Sequence, residues 1–309
     1  SGGMMPMPGR FLTSVVVRLQ GQLYLFDAGE GCQINLKKTK LGIKSLRVVA
    51  VSHLHGDHCL GLPGILMMRA QVPEVGPLTI LGPPGIERFI RQLHESLTFF
   101  LNYPLSFLEW YEGCPEVAYE DELVRIRWGP LKHTTLCLGY RFEEHPRPGK
   151  FKTEAAKALG IPYGPLWGAL QRGETVTLDQ GEPISPNLVL GPPRPGRKIC
   201  YAVDTRPSKV LYRLCQDVDL AFLDGMFLPE HHEEAEAKGH MTADDAARVA
   251  ARAGARRAVL VHISPRYTEE DMGKFVEAAK KRFGNTEIGS DLQQFMIPYR
   301  EEDPNLPPK

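Results

Sequence analysis

The chain has no surplus of charge of either sign. Its 309 residues carry 37 Lys and Arg against 37 Asp and Glu. Overall charge therefore announces no nucleic-acid partner, and any basic surface has to be local. It also lacks an apolar run of about 18 residues, which leaves no candidate membrane-crossing helix. The opening Ser1-Gly-Gly-Met-Met-Pro-Met-Pro-Gly9 has neither the charged start nor the apolar centre of a signal peptide. Cysteines are few. The six, at 32, 59, 114, 137, 200 and 215, include no pair close in sequence. That spacing excludes a zinc ribbon and a small disulfide scaffold, and reduced thiols in a cytoplasmic protein are expected. No internal repeat is evident. The remaining composition, 42% hydrophobic and 24% charged, is that of an ordinary globular protein.

Against this plain background one stretch stands out: Ser52-His53-Leu54-His55-Gly56-Asp57-His58. Leu46-Arg-Val-Val-Ala-Val-Ser52 before it reads as a buried strand, so the histidines fall where a strand ends and a loop begins. Imidazoles with a carboxylate suit zinc and its neighbours in the divalent series. His53 and His55 are two apart and face the same way in extended chain. Asp57 and His58 are adjacent and diverge. One loop thus offers ligands to two nearby ions.

Around it the chain alternates strands and helices, the pattern of an α/β protein with a mixed sheet. Residues 14 to 27 predict a hairpin about Gln20-Gly21-Gln22. Helices are expected over 34–41, from Gly61 onward with Pro63 in the first turn, and over 86–97. Strands are expected over 78–81, 105–111 and 123–130. The second half repeats the theme: strands at 198–204, 220–224 and 257–262, and helices at 210–215, 243–253 and 268–283. Thr242 is the expected N-cap of the 243–253 helix, with Asp245 at its third position.

Residues 147–198 break the pattern. These 52 residues hold eight Gly and eight Pro, and eight Lys and Arg against four Asp and Glu, hence a net +4. A basic Gly/Pro-rich insert predicts a projecting arm rather than a core segment. Its aromatics Phe151, Tyr163 and Trp167 serve equally well as a small core of the arm or as a gripping surface.

Metal-competent residues recur at strand ends: Ser52/His53, Asp204, Asp224 and His262, with His133 between two strand-like runs. Sites in layered α/β proteins form at such ends. His53, His55, Asp57, His58, His133, Asp204 and His262 make seven ligands, enough for two ions with one bridging carboxylate. A bridged pair about 3.5–4 Å apart can activate water and hold both oxygens of a phosphodiester displacement.

His53-x-His55-x-Asp57-His58, with the later ligands in order, resembles the signature of the metallo-β-lactamase superfamily. The narrower resemblance is to the ribonuclease Z family. It rests on Pro8-Gly-Arg-Phe-Leu-Thr-Ser14, Phe26-Asp-Ala-Gly-Glu-Gly31, the histidine loop with Gly61-Leu-Pro-Gly64, and His133 with Gly139-Tyr-Arg141. It rests further on Gly160-Ile-Pro-Tyr-Gly-Pro-Leu166, Arg172-Gly-Glu-Thr-Val176, Asp204-Thr-Arg-Pro207 and His262-Ile-Ser-x-Arg-Tyr267. The resemblance implies one catalytic domain over 1–309, an α/β four-layer αβ/βα sandwich, with 147–198 inserted as a tRNA-binding arm. It implies an endoribonuclease that removes the 3′ trailer of precursor tRNA and leaves a 3′-hydroxyl, and a homodimer.

The same resemblance implies two zinc ions, with manganese or another divalent ion as an alternative. One would be held by His53, His55 and His133, the other by Asp57, His58 and His262, with Asp204 between. Asp57 would be the general base, and His240 the proton donor to the leaving oxygen. Asp224, in Leu223-Asp-Gly-Met-Phe227, stands where the family usually has the glutamate of His-Glu-Ala-Thr. Met241 stands where it prefers a small hydroxyl residue. A first strand that the family has before Ser1 is lacking, so a shortened N-terminus is expected. The competing expectations are a small-molecule phosphodiesterase or arylsulfatase-like hydrolase of the superfamily, which would need no arm, and a non-catalytic RNA-binding scaffold, which would not need seven ligands.

Overall fold

Alternation of side chains builds the first sheet. β1 (Val15–Leu19) and β2 (Gln22–Phe26) pair antiparallel. Gln20 and Gly21 both have positive φ, 47° and 84°, the two-residue turn whose twist matches a hairpin. Along β2, Leu23 and Leu25 face one way and Tyr24 and Phe26 the other. The computed structural model describes residues 2–178 and 181–300.

From β2 the chain passes through α1 (Cys32–Thr39) to β3 (Leu46–Ala50). Next comes the histidine loop with the single turn α2 (Gly56–Cys59), and then α3 (Leu62–Ala70) with Pro63 in its first turn. β4 (Leu78–Gly82), α4 (Ile86–Leu97) and β5 (Leu105–Glu109) complete a five-stranded sheet in the order β1-β2-β3-β4-β5, parallel from β2 onward. β6 (Val117–Glu120), β7 (Val124–Leu131) and β8 (Cys137–Glu144) follow. The insert carries α5 (Thr153–Ala158), α6 (Pro165–Gln171), β9 (Val176–Thr177) and β10 (Pro183–Ile184).

The last stretch supplies β11 (Lys198–Ala202), α7 (Lys209–Cys215), β12 (Leu220–Asp224), α8 (His232–Lys238) and α9 (Ala243–Arg252). It ends with β13 (Ala258–Val261), α10 (Met272–Lys280) and β14 (Thr286–Ile288). The second sheet has the order β14-β13-β12-β11-β8-β7-β6, parallel over β11 to β14. β8 runs antiparallel to β11.

Three apolar clusters layer these elements. Leu23, Leu25, Val49 and Ile80 meet Leu36, Leu62, Ile65 and Ile90 of the helices on the first sheet's outer face. Tyr24, Phe26, Val48 and Ala50 meet Ile126, Tyr140, Phe142, Tyr201 and Phe222 between the sheets. Cys200, Ala202, Leu223 and Leu260 meet Leu211, Ala246, Ala250 and Phe275 on the far side. The layers run helix, sheet, sheet, helix, the four-layer sandwich expected. β3 has both faces covered, which is why its sequence is apolar apart from the half-buried Arg47. Each such large buried side chain contributes about 1.5–3 kcal/mol.

The described residues fall into two compact units. One holds those up to Glu143 with Lys198–Ile297; the other holds Glu144–Arg197 with those from Pro298. The second unit has a two-stranded stem: Arg147 and Arg194 exchange backbone hydrogen bonds at 2.8 and 2.9 Å, and Gly191 N–H donates to the Lys150 carbonyl at 2.9 Å. A Cβ on Gly149 would lie 2.0 Å from the Gly191 carbonyl oxygen, so only glycine permits this approach. A small core of Ala156, Ile161, Leu170, Val176 and Val189 fills the unit.

Local expectations differ at several places. Thr268–Phe283 is not one helix: a 3₁₀ turn, Glu269–Asp271, precedes α10, which ends at Lys280. β6, α6, α8 and β14 have no counterpart in the sequence reading. The cysteines, distant in sequence, include a pair close in space, with Cys200 and Cys215 Sγ 3.3 Å apart and both buried. Ser1, on which the expectation of a shortened N-terminus falls, lies outside the described residues.

Candidate metal centre

Strand ends position the site. β3 delivers Ser52 and His53, β11 leads to Asp204, β12 ends on Asp224 and β13 leads to His262. Asp204 and His262 hold left-handed backbone, with φ of 51° and 63°. Each such non-glycine residue costs about 1–3 kcal/mol. The turn aims the side chain off the strand axis and into the site.

The nine sequence-predicted residues fall into three overlapping groups. His53, His55, His133 and Asp204 bring ligand atoms within 4.8 Å of one another, as do Asp57, His58 and His262, and as do Asp204, Asp224, His240 and His262. Asp204 joins the sets through different oxygens. Its Oδ2 lies 3.6 Å from His53 Nε2 and 3.7 Å from His133 Nε2. Its Oδ1 lies 3.1 Å from His262 Nε2 and 3.5 Å from His58 Nε2. Asp57 Oδ2 lies 3.3 Å from His262 Nε2 and 3.4 Å from His58 Nε2. The loop divides as its spacing predicts, His53 and His55 to one set and Asp57 and His58 to the other.

A second layer fixes which ring nitrogen is free. Asp27, fully buried at the end of β2, accepts from Ser52 N–H at 2.6 Å, Ser52 Oγ at 2.8 Å and Tyr201 Oη at 2.7 Å. It also accepts from His58 Nδ1 at 2.7 Å. His58 therefore carries its proton on Nδ1 and turns the Nε2 lone pair inward. Ser52 Oγ gives its hydrogen to Asp27 and accepts from His53 Nδ1 at 3.0 Å. His133 Nδ1 donates to the Gly239 carbonyl at 3.1 Å. Three imidazoles thus present Nε2 lone pairs to one space. From sequence alone Asp27 stands only at the end of the 14–27 hairpin and in the Phe26–Gly31 motif, and Tyr201 has no role. Phe26-Asp27 shows the same apolar-strand-then-carboxylate pattern as the ligands, so the signal was there.

The electrostatics of His53 and His133 agree with this donor set, whereas at His58 burial is outweighed by the charges of Asp204 and Asp27, which raise the imidazole well above the ordinary histidine value. Burial, then the neighbouring His58, pushes His53 down to about 2, so its ring is neutral. Burial lowers His133 as well. Burial opposes the charged forms of Asp57 and Asp204, yet the surrounding histidines outweigh it and hold both below the usual carboxylate range. His53 Nε2, His133 Nε2 and Asp204 Oδ1 are buried with no hydrogen-bond partner among the described residues. An unmet buried acceptor costs about 1–3 kcal/mol. Nitrogen and oxygen ligands about 2.0–2.2 Å from a tetrahedral zinc lie roughly 3.3–3.6 Å apart. The observed separations of 3.1–3.7 Å fit that edge.

Asp224 and His240 form a pair beside this centre. Asp224 Oδ2 accepts from His240 Nδ1 at 2.9 Å. Asp224 also accepts from the Thr205, Met226 and Met241 amides at 3.2, 3.0 and 3.4 Å. Burial disfavours the imidazolium, but the Asp224 charge and hydrogen bond prevail and raise His240 above the ordinary histidine value. The His240 ring stacks on His262, 5.5 Å between centroids. Met241 is fully buried in the outer core.

Comparison with known proteins bears on what such a centre does. Residues 177–263 match the model of the beta-lactamase superfamily domain, and residues 6–98 match that of the anti-Pycsar protein Apyc1. Ribonuclease Z of Treponema denticola is 40% identical over 303 residues, 97% of each chain. Ribonuclease Z of Methanosarcina acetivorans is also 40% identical, over 98% of this chain and 97% of its own. Among solved structures, the short form of human tRNase Z superposes with a TM-score of 0.69 at 24% identity, covering 96% of both chains. A metallo-β-lactamase fold protein of Bacillus subtilis gives 0.65 at 16% identity, over 94% of this chain and 93% of its own.

Proposed function

The chain belongs to the ribonuclease Z family, and from that premise we propose how it acts as a tRNA 3′-processing endoribonuclease. The reading rests on one observation above others: Asp204 turns its two oxygens to two separate imidazole sets. His53, His55 and His133 would hold one divalent ion and Asp57, His58 and His262 a second, with Asp204 shared. Such ions, zinc by the donor set and manganese as the alternative, would supply Lewis acidity at the phosphate and acidify water at neutral pH.

The chain's own groups do the rest. Asp57, held ionised by the histidines beside it, accepts the hydrogen of the attacking water and orients it toward phosphorus. A carboxylate held that low is a weak base, so Asp57 steers the proton more than it stores it. The new bond joins water oxygen to phosphorus, and the bond from phosphorus to O3′ breaks. The trailer leaves with the phosphate on its 5′ end. His240, kept protonated by Asp224, gives its proton to O3′ and leaves the tRNA with a 3′-hydroxyl. Asp224 orients the imidazole and stabilises its charge. The arm, 147–198, would bind the tRNA body through its surplus of cations, which position without reading sequence. A cytoplasmic location and a homodimer are proposed on the family's account. Among the described residues no helix is long and apolar enough to cross a membrane.

His240→Ala tests the division of labour. Turnover of precursor tRNA should fall about 10²–10⁴-fold, with metal content by atomic emission unchanged. Loss of metal together with activity would make His240 a ligand and remove the proton-donor role.

A further inference from the structure

Tyr163 has the most exposed of the large apolar side chains among the described residues, at 88%. Its two aromatic companions in the insert are used differently. Phe151 and Trp167 are half-buried against the small core of their unit. They lie 5.0 Å apart between ring centroids. Trp167 is further pinned by its indole N–H, which donates to the Ile161 carbonyl at 3.0 Å. Tyr163 meets Trp167 edge to face, 5.1 Å and 78°, and otherwise projects into solvent.

The local backbone holds this arrangement. Gly164 has φ 145°, which side-chain-bearing residues avoid, and a Cβ there would meet nothing within 4 Å. The loop shape is thus a backbone requirement rather than a packing one. Helix α6 begins at Pro165 immediately after. The Tyr163 ring thus rests on a pinned indole while staying almost wholly exposed. Exposed Lys152, Lys157 and Arg172 lie in the same insert, whose residues 147–198 carry a net +4; Lys157 pairs with Glu154 at 2.9 Å and Arg172 with Glu174 at 2.6 Å. An exposed π-face within a basic insert has the chemistry of a stacking platform for nucleobases.

We propose that Tyr163 is a substrate-positioning residue that stacks on an unpaired nucleobase of the tRNA. The proposal rests on the tRNA-processing reading above and deepens it. Phosphate contacts by the cations set the electrostatic part of binding, and the ring adds a contact that is sequence-tolerant and largely independent of salt. Tyr163 touches no reacting group, so its effect falls on binding and not on the chemical step.

The test compares wild type with Tyr163→Ala, Tyr163→Leu and Tyr163→Trp on a precursor tRNA with a 3′ trailer and on bis(p-nitrophenyl) phosphate. The Ala and Leu variants should raise KM for the precursor roughly 5- to 150-fold. They should leave kcat, the slope of binding against salt and hydrolysis of the small ester unchanged. The Trp variant should match wild type. Equal KM in wild type, Ala and Leu variants would overturn the stacking role. Rescue by Leu alone would replace it with simple apolar contact. A wild-type protein that fails to cut the precursor would instead overturn the tRNA reading itself.

Discussion

At the scale of single residues, Asp27 decides more than its distance from the reaction suggests. One buried carboxylate accepts four hydrogen bonds and through them fixes His58 directly and His53 through Ser52. Asp27→Asn keeps the shape but puts donor hydrogens where three donors already point. Metal affinity should drop about 10–100-fold, read by competition with a fluorescent chelator, while circular dichroism stays native. Unchanged affinity would mean the histidines are held by packing alone. The seven candidate ligands were legible because imidazoles and carboxylates crowd one loop and then recur after apolar strands. The hydrogen bonds that choose each tautomer were not, because they join residues up to 174 apart in sequence. The Asp224 substitution shows the same limit. In the sequence it is a carboxylate one methylene short, and only the fold brings it within 2.9 Å of His240.

At the scale of elements, what could be read depended on whether packing left a pattern. The hairpin β1–β2 announces itself through its Gln20-Gly21 turn, and the strands β3, β11, β12 and β13 through runs buried on both faces. The helix α9 does so through Thr242, whose hydroxyl accepts from Asp245 N–H while the Asp245 carboxylate answers Thr242 N–H. By contrast α8, His-Glu-Glu-Ala-Glu-Ala-Lys, has a single buried residue and draws on side-chain pairs such as Lys238–Glu234 at 2.8 Å. It has no apolar stripe to detect. β14 has three residues, too few for periodicity to register. The insert was visible by composition, its internal helix α6 was not. Its stem brings Lys150 and Gly191 together, so a short Gly-Ser joint from 150 to 191 can replace the segment between without pulling on the catalytic unit. That variant should hydrolyse bis(p-nitrophenyl) phosphate at a wild-type rate and lose precursor tRNA cleavage by at least about 10²-fold, given the phosphate contacts removed. Equal loss of both activities would show that the insert shapes the catalytic centre instead of gripping tRNA.

At the scale of the whole molecule, a chain with no net charge carries its positive surplus in the inserted segment 147–198 and its metal-competent residues outside it. The four layers follow from strands apolar on both faces, and a site at their ends follows from where such strands can turn polar. Those two features lay in the sequence. The division of Asp204 between two imidazole sets needed the second sheet to bring 204 and 262 against the loop at 53–58. In the function proposed above, these seven residues hold divalent ions that serve the cutting of precursor tRNA at its 3′ side. The direct measurement incubates purified protein with an end-labelled precursor carrying a 3′ trailer, before and after dialysis against a chelator and again after adding zinc or manganese. The account predicts a single cut that leaves a 3′-hydroxyl on the tRNA, abolished by the chelator and restored by the ion. Cleavage that persists in metal-free protein, or a metal-loaded protein that leaves the precursor whole, would contradict it.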